Sequence, residues 1–228
     1  MIRRPKTSPL LALILSLLLS APVGWTFQLQ SEEEAPPPLT YSAKPVRGLV
    51  VDAGTGQPLD GVIVVAQWIL HEPGKGSWRR LHVLETTTDA KGNFLIAGWG
   101  PKDNTWYPWT RLLTADPALS FFKRGYTPQF VQNRWVRNEP MRISEWDGKT
   151  IKLEKFTGTD QEWKRRLRLL QTALAWGDVM DWRQVPRMTL AILEERERLP
   201  KSLRVGLGAS EELGTTTEEV DRFLEAQK

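Results

Sequence analysis

The run of residues 46–96 constrains the fold of this chain more than any other part of its sequence. In this run, short stretches rich in valine and isoleucine alternate with glycine, proline and aspartate. β-Branched residues pack well on a pleated sheet, whereas glycine, proline and aspartate are the residues that reverse a chain. Reversals at this short spacing are typical of antiparallel strands. The run therefore predicts a mainly β chain that folds as an antiparallel β-sandwich.

Four strands are predicted in this run, at residues 46–52, 61–70, 78–88 and 93–97. In the first turn, Gly54 and Gly56 are expected to adopt positive φ angles, which glycine tolerates without steric cost. Gly92 is expected to do the same in the tight reversal before the fourth strand. The residues assigned to turn formation, and not to chemistry, are Gly56, Pro58, Gly61, Asp89 and Gly92.

Two segments of the run carry a family resemblance. They are Gly48-x-Val50-x-Asp52-x-x-Thr55-Gly56-x-Pro58-Leu59-x-Gly61-Val62-x-Val64 and Thr88-Asp89-x-x-Gly92-x-Phe94-x-Ile96. Together they resemble the carboxypeptidase regulatory-like domain, a transthyretin-like β-sandwich. Residues 119–122, Gly125-Tyr126 and residues 150–153 fit the same family less tightly, so the resemblance covers residues 44–155. It implies a noncatalytic module of the kind attached to exported peptidases, receptors or surface proteins.

The first 26 residues have the pattern of an export signal. Basic residues precede an apolar run and small residues follow it, in the order Arg3, Arg4 and Lys6, then residues 10–19, then Ser20, Ala21, Pro22 and Gly24. The strongly apolar part is shorter than the roughly 20 residues that a membrane span needs. A signal cleaved after Thr26 is therefore favoured, and an uncleaved membrane anchor is the alternative. Both predict an exported protein, periplasmic or at the cell surface, that touches the membrane only through an uncleaved N-terminal segment.

Residues 27–43 are predicted to form a linker. Three glutamates at 32–34 are followed by three prolines at 36–38, and such a composition buries little apolar area and favours an extended polyproline conformation. A plain spacer is one interpretation, and a proline recognition motif is the alternative. The folded part is then expected to comprise the sandwich at residues 44–156 and a helical extension at residues 157–228.

The charge balance argues against a nucleic-acid partner. The chain has 31 Lys and Arg against 27 Asp and Glu, and three of the basic residues lie in the predicted signal, which leaves 28 against 27. Nucleic-acid binding needs a basic patch that neutralises phosphates. The chain has no cysteine, so neither a disulfide nor a lipid anchor on cysteine is predicted.

Beyond residue 157, apolar residues recur with the period of an α-helix. A capping box at Thr159 and Glu162 precedes an apolar stripe formed by Trp163, Leu167, Leu170 and Leu174. Further helices are predicted from Pro186 to Arg198 and after Thr216, where the apolar residues are Val220, Phe223 and Leu224. Each stripe must be covered, so the helices are expected to pack on each other and on the sandwich, with a partner-binding groove as the alternative.

No catalytic residue, metal ligand or cofactor is predicted. Histidine occurs only at His71 and His82, which are not expected to lie opposite each other in their hairpin, and a zinc site needs three or four ligands. Both are expected to be solvated residues at strand ends. Ser77 and Ser120 lie in no nucleophile-elbow motif, and no glycine-rich phosphate loop occurs.

Tryptophan is frequent, with 11 residues. The insertion at residues 99–116, which departs from the family pattern, contains the candidate ligand-binding residues Trp99, Trp106, Tyr107 and Trp109. Exposed aromatic rings stack on sugars or anchor protein interfaces, so the predicted ligand is a glycan or an envelope protein. The alternative is that these rings form a satellite core. Core or cross-strand positions in strands are expected for Trp68, Trp78, Trp135 and Trp146.

Two functions are consistent with these patterns. The favoured one is an exported noncatalytic β-sandwich module that binds or presents a partner at the cell envelope. The alternative is an accessory domain of an envelope hydrolase, or a cryptic hydrolase, acting on peptides or glycans. The alternative requires a concave pocket with converging titratable groups, and a buried cleft shared by Asp103, Asp116 and His82 would favour it.

Overall fold

The computed structural model describes residues 37–72, 74, 78–105, 108–113, 115–134, 139–175, 181–207 and 215–228. The strands within them are β1 (Thr40–Ala43), β2 (Val46–Asp52), β3 (Ile63–His71), β4 (Trp78–Thr87), β5 (Asn93–Ile96), β6 (Trp99–Asp103), β7 (Arg111–Leu112), β8 (Ala118–Phe122), β9 (Gln129–Val131), β10 (Met141–Arg142) and β11 (Lys149–Leu153). The α-helices are α1 (Asp160–Leu174), α2 (Pro186–Arg198) and α3 (Thr217–Glu225), and short 3₁₀ helices occur at Trp182–Gln184 and Lys201–Leu203.

Two three-stranded sheets share one pattern of pairing. Strand β2 pairs with β5 in antiparallel and with β11 in parallel orientation, and β1 pairs in the same way with β6 and β10. Only Lys44-Pro45 separates β1 from β2, and only Ala97-Gly98 separates β5 from β6. Proline lacks the N–H group that a ladder needs, so the ladder stops at Pro45 and resumes beyond it.

The other layer is a five-stranded antiparallel sheet. Its order is β4-β3-β8-β9. The short strand β7 pairs with the C-terminal end of β3, on the same edge of β3 that pairs with β8 nearer its N-terminal end. Residues 64–70 of β3 are all buried. Burial on both faces explains why this strand has a nearly continuous apolar sequence and not an alternating one. Strand β9 forms one edge of the sheet.

The main core lies between the five-stranded sheet and the strands β2, β5 and β11. Its inward-facing residues include Val64, Ala66, Trp68, Leu119 and Phe121 on one side and Val50, Phe94, Ile96, Ile151 and Leu153 on the other. The rings of Phe94 and Phe121 meet edge to face, with centroids 5.5 Å apart. Burial of these side chains is the main favourable contribution to folding of the sandwich.

The helices cover the outer face of the five-stranded sheet. Val65, Val83 and Phe122 point to this side and form a second apolar cluster with the stripe of α1 and with residues of α2. The ring of Trp163 stacks on that of Phe122 at a centroid distance of 6.2 Å. The predicted capping box is present at the start of α1, and the four predicted stripe residues are the buried residues of this helix.

Two side chains of β4 hold helix ends against the sheet. Arg80 donates to the carbonyl of Leu174 at 2.7 Å, at the C-terminal end of α1. Glu85 accepts from the N–H groups of Arg187 and Met188 in the first turn of α2, at 3.0 and 2.8 Å. Helix α2 has no side-chain cap from its own N-cap residue, so Glu85 supplies one. Both charges have the sign that the helix macrodipole favours at that end.

The predicted fold class is confirmed, because the chain forms a mainly β sandwich followed by a helical C-terminal segment. Not every pairing is antiparallel as predicted, since β10 and β11 run parallel to their neighbours β1 and β2. The fold also begins before residue 44, because β1 lies within the range predicted as linker and its Tyr41 is fully buried. Pro36–Lys228 form one compact unit.

Some local predictions are wrong. Gly54 does not adopt a positive φ, whereas Gly56, Gly61 and Gly92 do. Trp146 lies in a turn and packs half-buried against the core, and not in a strand. Trp135 lies outside the described residues. Among the helices that the structure describes, none combines the length and the apolar content that a membrane crossing requires.

Candidate functional site

Asp52 of the family-like pattern organises a turn. Its Oδ1 atom accepts from the N–H groups of Gly54 and Thr55 at 2.9 and 2.8 Å. Its Oδ2 atom accepts from the hydroxyl of Tyr126 at 2.9 Å. These bonds, above all the one from Thr55, lower the pKa of Asp52 to about 2. The carboxylate is therefore occupied in joining the turn after β2 to the turn after β8.

Asp89 and Gly92 form the second turn of the pattern. Asp89 accepts from the N–H groups of Lys91 and Asn93 at 2.9 and 2.8 Å, and these bonds lower its pKa. Gly92 has a φ angle of 76°, and a Cβ atom there would lie 2.5 Å from the carbonyl oxygen of Val50. Both residues therefore shape the entry into β5, as the sequence predicts.

The structure describes two of the four predicted ligand-binding aromatic residues, Trp99 and Trp109. Trp99 lies in β6, and its ring packs edge to face on Trp68 at 5.1 Å, so it belongs to the core periphery and not to an exposed loop. Trp109 is 54% exposed. Trp106 and Tyr107 lie outside the described residues. Trp99 therefore packs against the main core and not in a satellite core of the insertion, because it lies in β6, which pairs with β1.

His82 is not the solvated residue that the sequence predicts. Its ring stacks on Trp68 at 5.9 Å and meets Trp99 at 5.0 Å. Burial, aided by the positive charge of Lys102, lowers the pKa of His82 to about 4. His71 lies opposite Trp78, so the two histidines are not paired across the hairpin, as predicted. Among the residues that the structure describes, no three His, Asp or Glu side chains are grouped to hold a metal ion.

Asp116 forms a buried ion pair with Arg142. Arg142 donates through Nε to Oδ1 of Asp116 at 2.9 Å and through Nη2 to the carbonyl of Leu113 at 2.7 Å, and the Nη2 group also contacts Oδ1 of Asp116. Burial raises the pKa of Asp116 to about 6, against the opposing effect of Arg142. Asp103 instead accepts from the N–H of Thr105 at 2.7 Å.

The three groups that would favour a hydrolase have separate surroundings. His82 lines a polar hollow with Arg80, Lys102 and Asp181, and Asp116 lines a small cavity with Leu113 and Ala118. Neither hollow includes Asp103. His82 and Asp116 thus lie in different hollows, whereas acid–base hydrolysis requires titratable groups that converge in one cleft.

A groove lies between α1 and the outer face of β8 and β9. It has a volume of about 440 Å³. Its floor consists of outward-facing residues of three strands together with Gln132, which follows β9; the strand residues are Gln67, Ile69, Ala118, Ser120 and Phe130. Helix α1 forms its wall through Leu169, Thr172 and Ala173. Phe130 and Leu169 are 38% and 53% exposed. Large apolar side chains that remain exposed beside a concave surface are typical of a binding site.

A second hollow continues the groove along α1. It has a volume of about 500 Å³, shares Leu169 with the first, and is lined by Thr127, Lys155, Arg165 and Arg166 among others. The helix residues of the two hollows follow one stripe of α1, from Glu162 through Leu169 to Ala173. We call the two hollows together the α1 track. One end of the α1 track is basic and the other is apolar.

Sequence reasoning missed the α1 track because four elements that lie far apart in sequence, β3, β8, β9 and α1, form its apolar groove. One signal was present, since Leu169 is a large apolar residue on α1 outside the buried stripe of Trp163, Leu167, Leu170 and Leu174. A leucine on the polar face of an amphipathic helix indicates either a second packing contact or a binding surface.

Comparison with known proteins yields only distant likenesses. No protein-family model matches the chain, and no protein of curated function is similar to it. A 3-chlorocatechol 1,2-dioxygenase from Rhodococcus opacus 1CP is similar with a TM-score of 0.29 and 17% identity, over 54% of this chain and 62% of that one. A streptococcal ancillary pilin is similar with a TM-score of 0.26 and 16% identity, over 50% of this chain and 30% of that one.

The C-terminal domain of the shaft pilin SpaA from Lactobacillus rhamnosus GG is similar with a TM-score of 0.25 and 13% identity, over 51% of this chain and 98% of that one. The chain thus spans less than two thirds of the length of the dioxygenase and of the ancillary pilin. The carboxypeptidase regulatory-like resemblance is not confirmed by any of these comparisons. The β-sandwich with its helical layer is the architecture that the chain itself forms.

Proposed function

We propose that this protein is an exported, noncatalytic β-sandwich module that binds a partner at the cell envelope through the α1 track. The α1 track is the observation that carries the proposal, because it leaves Phe130 exposed in the floor of a groove and Leu169 exposed in its wall. Contiguous apolar side chains around a concavity favour the binding of another molecule over contact with water.

Two further observations support the noncatalytic part of the proposal. Asp52 and Asp89, the acidic residues of the family-like pattern, are occupied by hydrogen bonds within turns. His82 packs against tryptophan rings and keeps a low pKa. These residues act as scaffold, so the surface added to the sandwich is the better candidate for function. The order of basic, apolar and small residues at 1–26 supports export.

Photo-crosslinking of the full chain in cells tests this proposal. A photoreactive amino acid is placed at position 169, and in a matched control at position 95, because Leu95 is similarly exposed, at 51%, but lies on β5. We expect the chain in the envelope fraction and a discrete adduct from position 169 alone. A chain found in the cytoplasmic fraction, or equal adducts from both positions, would contradict the proposal.

Export is tested with the double variant Leu15→Arg and Leu18→Arg, which places charges in the apolar run of residues 10–19. We expect this variant to remain in the cytoplasm, since a charged core abolishes recognition of an export signal. Leu29→Arg, outside the apolar run, is the control and should leave export unchanged. If the double variant were still exported, the sequence pattern of residues 1–26 would no longer support the proposal that they direct export.

A further inference from the structure

The shape of the α1 track suggests what kind of ligand it accepts. Thr127 lies at its basic end and Phe130 and Gln132 at its apolar end, while α1 runs alongside from Glu162 to Ala173. The chain between Thr127 and Gln132 spans at most about 17 Å, at 3.4 Å per residue of strand. The helix segment spans about 16 Å, at 1.5 Å per residue. The chain at residues 127–132 and the helix segment beside it have similar lengths, and together they accommodate about five residues of an extended peptide.

The charges of the basic end are largely available for a ligand. Arg165 and Arg166 are exposed, and within the described residues neither forms an ion pair closer than 4 Å. Glu162 lies on the same helix stripe, and its carboxylate accepts from the N–H and hydroxyl groups of Thr159 at 2.8 and 3.0 Å. These bonds, aided by the charges of Arg165 and Arg166, lower its pKa, so Glu162 offsets part of the positive charge of the two arginines. Arginine binds carboxylates through paired N–H donors, so acidic side chains are the complementary partners of this end.

On the opposite wall of the basic end, Glu154 and Lys155 carry opposite charges. Lys155 already lies 3.7 Å from Asp52, and Glu154 is an exposed carboxylate. In the lining of this end, Lys155, Arg165 and Arg166 stand against Glu154 and Glu162, so three positive charges less two negative ones leave a net charge of +1. At the other end, Ala118, Phe130 and Leu169 present apolar surface that has no covering side chain among the described residues.

We infer that the α1 track binds an extended segment of a partner protein in which acidic residues adjoin an aliphatic or aromatic residue. The carboxylates contact Arg165 and Arg166, and the apolar side chain packs between Leu169 and Phe130. This inference rests on the proposed function, since it names the chemistry of the partner at the same surface. Recognition combines a buried apolar anchor with charge-assisted hydrogen bonds at its rim.

Fluorescence anisotropy with labelled pentapeptides and the purified full chain tests the inference. The probe contains two glutamates, an alanine, a leucine and a phenylalanine, and it is used in both orders of sequence. The control peptide carries lysines in place of the glutamates. We expect at least one acidic peptide to bind at least about tenfold more tightly than the lysine peptide, with an affinity that falls as salt rises. Equal binding of the acidic and lysine peptides would overturn the inference.

Matched variants locate the contact. The double variant Arg165→Glu and Arg166→Glu should weaken binding of the acidic peptide by at least about tenfold, because repulsion replaces attraction. Arg168→Glu changes an exposed arginine of α1 that does not line the track, and it should leave binding within about twofold. Circular dichroism of each variant verifies that α1 remains folded. Equal loss in both variants would show that net charge, and not the track, governs binding.

The failure of this inference differs from the failure of the proposed function. If position 169 forms envelope adducts but no acidic peptide binds, the groove binds a partner of other chemistry and the inference is wrong. If neither result is obtained, both proposals are wrong. A dimer of the full chain that Leu169→Asp abolishes in analytical ultracentrifugation, with Leu95→Asp unchanged, would assign the groove to a second copy and overturn the inference.

Discussion

Tyr126 donates its hydroxyl to the carboxylate of Asp52 at 2.9 Å and so joins two turns that are 74 residues apart in sequence. The backbone of Tyr126 also bridges to Lys155, next to the end of β11. One side-chain contact thus connects the ends of β2, β8 and β11 at the same end of the sandwich. Asp52 accepts three hydrogen bonds there, which is why its ionised form is favoured.

Asp52 should make folding stability dependent on acid. Its pKa is about 2 in the folded chain against 3.8 normally, so the stability it contributes is present above pH 3.8 and is lost as pH falls towards 2. Asp52→Asn should therefore be less stable than the parent near pH 7, with a difference that shrinks below pH 4. Urea unfolding between pH 2 and pH 7 measures this. Asp60→Asn, at an exposed carboxylate, is the control. If the stability difference between Asp52→Asn and the parent stayed constant with pH, the low pKa of Asp52 would be contradicted.

Gly92 should tolerate alanine less well than Gly148. Both have positive φ angles, of 76° and 74°, but a Cβ atom at Gly92 would lie 2.5 Å from the carbonyl oxygen of Val50, whereas one at Gly148 meets nothing within 4 Å. Gly148→Ala should cost about 1–2 kcal/mol from the left-handed conformation alone. Gly92→Ala should cost about 3 kcal/mol or more, because the clash adds to that strain. Chemical denaturation of both variants measures the loss in free energy of unfolding. Equal losses would contradict the close approach of Gly92 to the carbonyl oxygen of Val50.

The helical layer should contribute to stability through one face of α1. Leu167 is fully buried against the sheet, and Leu169, two residues later, is 53% exposed. Leu167→Ala should lower the free energy of unfolding by about 2–5 kcal/mol, while Leu169→Ala should change it by no more than about 0.5 kcal/mol. A small effect of Leu167→Ala in denaturant unfolding would mean that α1 does not pack as described.

Removing one partner of the ion pair between Asp116 and Arg142 should lower the free energy of unfolding more than replacing both partners with apolar residues. Both side chains are buried, at 2% and 0% exposure. Asp116→Ala removes the buried carboxylate that Arg142 contacts and should destabilise the fold by about 3–5 kcal/mol. The double variant Asp116→Leu and Arg142→Leu should recover most of this loss, because apolar residues of similar volume often substitute for a buried pair. Thermal unfolding compares the variants, and additive losses would argue against direct pairing.

His82 should remain neutral in mildly acidic solution. Its pKa is about 4 in the folded chain against 6.5 normally, so the stability it contributes is present above pH 6.5 and is lost as pH falls towards 4. NMR titration of the imidazole should show no protonation at pH 5.5, with His71→Gln used to assign the signal. His82→Gln should flatten the stability profile between pH 7 and pH 5.5. An ordinary pKa in the titration would show that the Trp68 and Trp99 rings do not bury the imidazole.

The parts of the fold that local sequence determines were predictable. Helix α1 follows from one capping box and one apolar stripe, and β2 follows from a valine-rich stretch that ends at a turn of glycine and proline. Strand β1 was not predicted, because Tyr41 is buried only through strands that lie far away in sequence. The orientation of β10 and β11 depends in the same way on distant partners.

The candidate site was harder to predict than the fold, since aromatic composition does not determine exposure. Trp99 and Trp109 belong to the same insertion, yet one packs on Trp68 and the other is exposed. The difference arises from the pairing of β6 with β1, which periodicity does not reveal. The α1 track is even harder to predict from local sequence, because its floor comes from three strands and its wall from a helix.

The anchoring of α1 and α2 to β4 has a consequence for biogenesis. Arg80 and Glu85 bind helix termini that are synthesised long after the strand that carries them. Until those termini arrive, Val65 and Phe122 have no cover on the outer face, and β3 is the type of apolar, β-branched segment that aggregates when exposed. A ribosome stall or proteolytic nick between β11 and α1 should therefore yield an insoluble fragment and not a shorter working module, so the cell has to make and retain both layers together.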